Sequence, residues 1–321
     1  MNKGLPPSGK GPPQVLYCGP SNKSVDVIST YLKKLNTKVV RVYSETIERS
    51  DYPIPGEPGT TRKTGNSREA SMDPNLQEIS LHHLIRLPTN SRSQNIRKWE
   101  EVFQTDGYEI KNSHVKVYKH EISKAEEEEL KKYQIILCTC NAAGSKRIKE
   151  YCNIIQCIID EAGMCNEPET LIPLVSTVPC QVVLIGDHKQ LRPIIQEKTA
   201  QLLGMEISLL EKYEKKAQML TMQYRMHEAI CAFPSQAFYN GKLETADIVK
   251  QRKPNLYLQD IWPGGRSYPL VFCHLYGKEE TLTVKTAEGN EQSKSNPLEV
   301  KHTVQIYYSS IQNKLYHLTS T

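Results

Sequence analysis

The sequence predicts an α/β fold built on a parallel sheet, and three observations carry that expectation. Two short apolar runs, Ile154–Ile159 and Val182–Ile185, stop abruptly at acids, Asp160-Glu161 and Asp187. A continuous Val/Ile/Leu run is the pattern of a strand buried on both faces. The stretch from Glu161 to Cys180 is long enough for the helical crossover that two parallel strands require, with Glu167–Leu174 as part of it. Nearer the start, Val15–Cys18, a helical apolar spacing and Val39–Tyr43 make a first βαβ unit. In open sheets of this class ligands sit just beyond the carboxyl ends of the strands, where Asp160, Glu161 and Asp187 fall.

Taken in order, residues 1–14 are rich in Gly, Pro and Lys and read as a linker. After the Val15 strand, Gly19-Pro20-Ser21-Asn22 makes a turn, and Val25, Ile28, Tyr31, Leu32 and Leu35 recur at helical spacing. From Glu45 to about Asn112 the composition turns to Pro, Gly, Ser, Arg and Lys, which predicts an irregular, partly disordered stretch of an insertion that spans about residues 45–132. Within it only Leu81–Leu87, Ile96–Phe103 and a helix opened by a Ser123–Glu126 capping box are expected to be helical. The acids from Glu126 to Glu129 then form a solvated face. Gln134–Thr139 returns to the sheet, ahead of the two acid-terminated strands. A helix near Leu202–Tyr213 closes a first domain of residues 15–216. A second domain, 217–321, opens with Gln218–Ile230, restarts an apolar pattern at Pro269–His274 and ends in a helix over Asn296–Ile311. No internal repeat is visible.

Composition narrows the function classes. The chain has 321 residues, 38% hydrophobic, with a formal net charge of +5, a pI of about 8.6 and a mean hydropathy of -0.53. No apolar run approaches the roughly 20 residues needed to span a bilayer, and the Met1-Asn-Lys-Gly start carries no signal-peptide pattern. The expectation is an intracellular protein of nucleus or cytoplasm without a membrane partner. Nine cysteines lack paired zinc spacing; Cys18, Cys138, Cys140, Cys157 and Cys273 are expected as reduced, buried thiols. The mild positive charge suits an anionic partner without identifying one.

Each motif has an ordinary structural explanation by itself. Asp160 and Glu161 could cap the next helix, Ser21 could be a helix N-cap, Asp187 a turn residue, Arg225 a salt-bridge partner and Tyr224 a buried aromatic. Their order and separation say more. Gly19-Pro-Ser-Asn-Lys-Ser-Val-Asp26, Ile136-Leu-Cys-Thr-Cys140, Asp160-Glu-Ala-Gly163, Gly186-Asp-His-Lys-Gln-Leu-Arg-Pro193 and Gln223-Tyr-Arg-Met-His-Glu228 together resemble the motifs of superfamily 1 helicases of the up-frameshift-like group, over roughly Val15 to Phe238.

That resemblance implies a RecA-like parallel sheet carrying the inserted segment, followed by the start of a second RecA-like domain. It implies ATP and Mg2+ as cofactors, with Asp160 holding the metal and Glu161 activating water. Gln190 would sense the γ-phosphate, Gly186, Asp187 and Tyr224 would line the nucleotide, and Arg225 would act as an arginine finger. Pro20, Ser21, Asn22 and Thr139 match contacts to the backbone of single-stranded RNA or DNA. Transcription or RNA-processing factors are the implied protein partners.

One motif departs from the pattern. A nucleotide motor needs G-x-x-x-x-G-K-[ST] between a strand and a helix. Gly4–Gly11 matches poorly: Gly11 stands where the hydroxyl belongs, no strand precedes Gly4, and no helix fits before Val15. The expectation is therefore that the chain begins after the family's loop, ends before its later motifs, and binds ATP weakly or not at all. Three readings stand: an ATP-dependent helicase, a non-catalytic strand-binding or coactivator module, and an unrelated metal-dependent hydrolase using Asp160, Glu161 and Asp187. Gln190 and Arg225 argue against the third.

Overall fold

The computed structural model describes residues 11–55, 72–105, 107–252, 270, 272–286 and 289–319. Contacts divide the chain into two units, Met1–Ala217 and Gln218–Thr321. Gly4–Lys10, much of the 45–132 insertion's early part and most of the Pro269–His274 stretch's approach lie outside the described residues.

The first unit is a five-stranded parallel sheet in the order β2-β3-β1-β4-β5. Its strands are β1 (Gln14–Gly19), β2 (Val39–Arg41), β3 (Ile135–Thr139), β4 (Ile154–Ile159) and β5 (Gln181–Leu184). The helices are α1 (Asn22–Lys34), α2 (Glu45–Asp51), α3 (Leu81–Leu84), α4 (Ser93–Gln104), α5 (Asn112–Leu130), α6 (Lys146–Tyr151) and α7 (Glu167–Thr177). Alternate residues of the central strands face opposite sides, as the two-residue period of a strand dictates. Tyr17, Val39 and Leu137 pack with Val25, Ile28 and Leu32 of α1. Leu16, Cys18, Ile136 and Cys138 join the larger core on the other side.

That second face corrects the expectation for the insertion. Leu81, Leu84, Ile96, Tyr118, Ala125 and Leu130 are all buried in the same core as the strands. Helices α3, α4 and α5 are therefore part of the sheet's covering layer. The Ser123–Glu126 capping box does not form, because α5 begins at Asn112 and runs through it. Extending an existing helix costs far less than nucleating one, and the Ser123 hydroxyl bonds Tyr151 Oη at 2.6 Å instead of a backbone amide. The run Glu126–Glu129 is likewise no uniform solvated face. Glu126 pairs with Arg147 at 2.6 Å, and Glu129, 2% exposed, accepts from Asn90 at 3.0 Å.

Two further expectations change. β5 lies at the edge of the described sheet, with Val182 43% and Ile185 46% exposed, so its apolar run does not mark burial on both faces. The Leu202–Tyr213 helix is interrupted at Gly204: α8 (Lys198–Ala200) runs into a π-helical turn over Gln201–Met205, and a separate α9 (Leu209–Lys212) follows.

The second unit contains β6 (Met222–Gln223) paired in parallel with β7 (Glu244–Thr245) around α10 (Glu228–Tyr239), then α11 (Asp247–Lys250). An antiparallel hairpin, β8 (Glu280–Thr286) and β9 (Gly289–Ser295), precedes α12 (Pro297–Thr319). Residues 272–274 form no strand, and Cys273 is exposed, unlike Cys18, Cys138, Cys140 and Cys157, which are buried.

Candidate nucleotide and nucleic-acid site

All five strands of the first sheet run the same way, so their carboxyl ends form one edge. Along it stand, in spatial order, Thr139 after β3, Pro20 and Ser21 after β1, Asp160 after β4 and Asp187 beyond β5. At about 4.8 Å per strand, the first and last positions are separated by roughly 14 Å. Backbone bonds knit the edge together: Cys140 N donates to Gly19 O at 3.0 Å, Asp160 N to Cys18 O at 2.9 Å and Ala162 N to Ile185 O at 2.8 Å.

Asp160 is fixed from two sides. Its Oδ1 accepts from Glu161 N at 2.9 Å, and its Oδ2 accepts the Tyr17 hydroxyl. Burial, reinforced by that bond to Asp160, pushes the Tyr17 phenol well above its ordinary range, so it stays a donor. Glu161 has φ 51°, a left-handed conformation uncommon for a residue with a side chain. Its exposed carboxylate projects from the tip of the turn.

The turns after β4 and β5 meet at two glycines. A Cβ on Gly163 would lie 2.7 Å from Asp187 O, and one on Gly186 would lie 2.9 Å from both Ala162 N and Gly163 N. Only glycine permits this approach, which seats Asp187 against the Asp160–Gly163 turn. The Asp187 carboxylate then orders its own loop, accepting from Lys189 N at 2.9 Å and from Gln190 Nε2 at 3.0 Å. Glu169, on α7 behind this turn, is pushed up to about 7 by burial and then by the neighbouring Cys140.

On the other half of the edge, Ser21 is the N-cap of α1, taking Ser24 N at 3.2 Å in a reciprocal capping box. The helix has no acid in its first turn, so its positive end is open to an anion. Thr139 Oγ1 accepts from Ala142 N at 3.2 Å. Asn22 is held by Arg41, whose NH2 donates to Asn22 Oδ1 at 2.9 Å. Arg41 is fully buried, pairs with Asp26 at 2.8 Å, donates to Val42 O at 2.8 Å and lies 3.9 Å from the Tyr43 ring centroid. Tyr17, Arg41 and Glu169 were not singled out from sequence. Arg41 offered a faint signal, a cation in the middle of an apolar strand run.

In the second unit Gln223 organises the turn after β6. Its Oε1 accepts from Arg225 N and Met226 N, both at 2.9 Å, and its Nε2 donates to Thr245 Oγ1 at 2.7 Å. Arg252 donates to the carbonyls of Tyr224 and Arg225 at 2.9 Å. Tyr224 is 63% exposed, which removes the buried-aromatic explanation, and Arg225 is exposed as well.

A parallel sheet with crossover helices, acids at its carboxyl edge and a phosphate-ready helix N-terminus define the RecA-like class of domain. An AAA-domain family matches residues 2–198, and a second, also described as an AAA domain, matches residues 205–317. The chain belongs to this AAA-domain family, in the up-frameshift-like group of superfamily 1 helicases. It is 44% identical to 3'-5' exoribonuclease HELZ2 of Mus musculus over 94% of this chain and 10% of that protein. The Homo sapiens protein of the same name is 44% identical over 95% of this chain and 10% of its own length. ATP-dependent helicase NAM7 of Saccharomyces cerevisiae is 32% identical over 83% of this chain and 25% of its length. The chain thus spans about a tenth of the length of the first two relatives. No helix among the described residues is long and apolar enough to cross a membrane.

Proposed function

We propose that this chain is part of a helicase core that couples ATP hydrolysis to movement along single-stranded nucleic acid, inside the cell in nucleus or cytoplasm, with a catalytic set left incomplete by the poor match of Gly4–Gly11 to a phosphate loop. The observation that carries the reading is the shared strand edge: nucleotide-type residues after β4 and β5 stand beside strand-type residues after β1 and β3. A change at one half has a short, rigid path to the other through the Tyr17–Asp160 bond.

In this reading Asp160 holds magnesium. An ionised carboxylate offers about four lone-pair sites, two of which are taken by Tyr17 and Glu161 N, so room for the ion remains. Magnesium, when bound, neutralises charge on the phosphates. Glu161 orients the attacking water and receives its proton. Gln190, presented by Asp187, contacts the terminal phosphate, and Gly186 lets the backbone approach. Arg225 and Tyr224, in the second unit, are the residues proposed for the arginine-finger and base-side roles that the family resemblance implies. Pro20, Ser21, Asn22 and Thr139 grip phosphates and sugars rather than bases, giving little sequence preference and strong salt dependence. Several relatives carry names, exoribonuclease and regulator of nonsense transcripts, that refer to RNA; RNA is accordingly the proposed strand, with RNA-processing factors as partners.

The test is ATP hydrolysis by the purified chain with Mg2+, with and without single-stranded RNA or DNA. Because Gly4–Gly11 matches the phosphate loop poorly, this chain by itself is expected to turn ATP over weakly; in a protein that joins it to such a loop, stimulated turnover is expected, and Glu161→Gln is expected to lower kcat by about 100-fold or more. Turnover surviving Glu161→Gln would remove that catalytic role. Salt-sensitive strand binding with no turnover would replace the motor by a binding module.

A further inference from the structure

Away from the strand edge, the end of α2 and the start of α3 bring together Asp51, His82 and His83, whose donor atoms all lie within 4.8 Å of one another. Asp51 Oδ2 is 3.3 Å from His82 Nε2 and 3.7 Å from His83 Nε2. In a tetrahedral zinc site with bonds of about 2.0–2.1 Å, neighbouring ligand atoms sit roughly 3.3–3.4 Å apart. The Asp51–His82 separation matches this, Asp51–His83 is a few tenths of an ångström longer, and all three donor atoms lie within 4.8 Å, so a small side-chain adjustment brings them around one ion.

On the far side of one ring, His83 Nδ1 is 3.0 Å from the Tyr52 hydroxyl, an outer partner that fixes ring orientation and tautomer in the manner of a metal-bound imidazole. His82 Nδ1 faces Glu48 Oε1 at 3.7 Å and makes no hydrogen bond among the described residues. His83 Nε2 is buried without a hydrogen-bond partner among the described residues and points toward Asp51. His82 is only 3% exposed. The two nearest arginines are already neutralised: Arg86 by Glu100 at 2.7 Å and Arg147 by Glu48 and Glu126 at 2.6 Å. A cavity of about 380 Å³, lined by Glu48, Tyr52, His82, Arg86 and Arg147, opens beside the cluster.

We propose that Asp51, His82 and His83 form a divalent transition-metal site, selective for zinc, that clips the end of α2 to α3. Two imidazoles and one carboxylate suit zinc better than magnesium or calcium, which prefer oxygen. Three protein donors leave the fourth position of the tetrahedron to water from the cavity. The clip closes a loop across a sequence separation of 31 residues, ordering a layer that covers the central sheet.

The experiment titrates the chelator-treated, reduced chain with Zn2+ by calorimetry, and with Co2+ by absorption. One equivalent of Zn2+ is expected, with a rise in melting temperature. The cobalt spectrum should show nitrogen and oxygen ligands without a thiolate charge-transfer band. Asp51→Asn and His83→Gln, melting with the parent when metal-free, are each expected to weaken zinc binding at least about tenfold. No binding, a thiolate band, or unchanged affinity in both variants would overturn the site and leave the cluster as Asp–His hydrogen bonding. Should one variant unfold, the other decides by the same criterion.

Discussion

Removing Asp26 would test how the Gly19–Asn22 turn is held. Arg41 has no exposed surface, and its Nε donates to Asp26 Oδ1 at 2.8 Å. The same oxygen accepts from the Tyr43 hydroxyl at 3.0 Å. Among the described residues, Asp26→Ala leaves the guanidinium buried with the Val42 carbonyl and Asn22 Oδ1 as acceptors, and removes the acceptor of the Tyr43 hydroxyl proton. Breaking a buried ion pair by deleting one partner costs about 3–5 kcal/mol, because the remaining charge is uncompensated. For a unit of this size, each kcal/mol moves the melting temperature by about 2–4 °C, so a drop of roughly 6–20 °C is expected. Thermal unfolding followed by circular dichroism measures it. A double variant, Asp26→Leu with Arg41→Met, removes both charges and should recover most of the loss. An Asp26→Ala protein melting within about 2 °C of the parent would refute the reasoning, since it would mean Arg41 is reached by water.

Two further outcomes follow from the site. Gly163→Ala places a methyl 2.7 Å from Asp187 O, a backbone atom that cannot swing aside; a loss of about 1–3 kcal/mol is expected, with ATP turnover falling further than stability, and a variant matching the parent in both would show the two turns are not in contact. Glu169 has a folded-state value of about 7 against an ordinary 4.5. Its contribution to stability is complete below the ordinary value and is lost as pH rises through about 7. Glu169→Gln should therefore flatten the dependence of melting temperature on pH between these values and raise the midpoint above pH 7. An unchanged slope would place the carboxylate in water.

The strands, the crossover helix α7 and the residues at the strand ends were legible because their signals are local. An apolar run ending in an acid, and glycines at fixed distances from it, are written in consecutive residues. The capping box at Ser123 misled for the same reason: the pattern is local, but whether it starts a helix depends on whether one is already running through it. Burial of Glu129 and Arg41, and the partial exposure of β5, lie beyond any such pattern. They depend on which elements pack against a given face and on whether a strand is central or at the edge.

The chain's order of residues was enough to determine a parallel α/β sheet and the edge on which its polar groups gather, since periodicity and spacing are properties of the chain alone, and its motifs were enough to show a resemblance to the helicase group. Tertiary structure alone decided that the insertion's helices belong to the sheet's core, that Tyr17 and Arg41 hold Asp160 and Asn22 in place, and that Asp51 meets two histidines far along the chain. Those are contacts between segments distant in sequence, and only the folded packing, where buried polar groups must find partners, brings them within bonding distance.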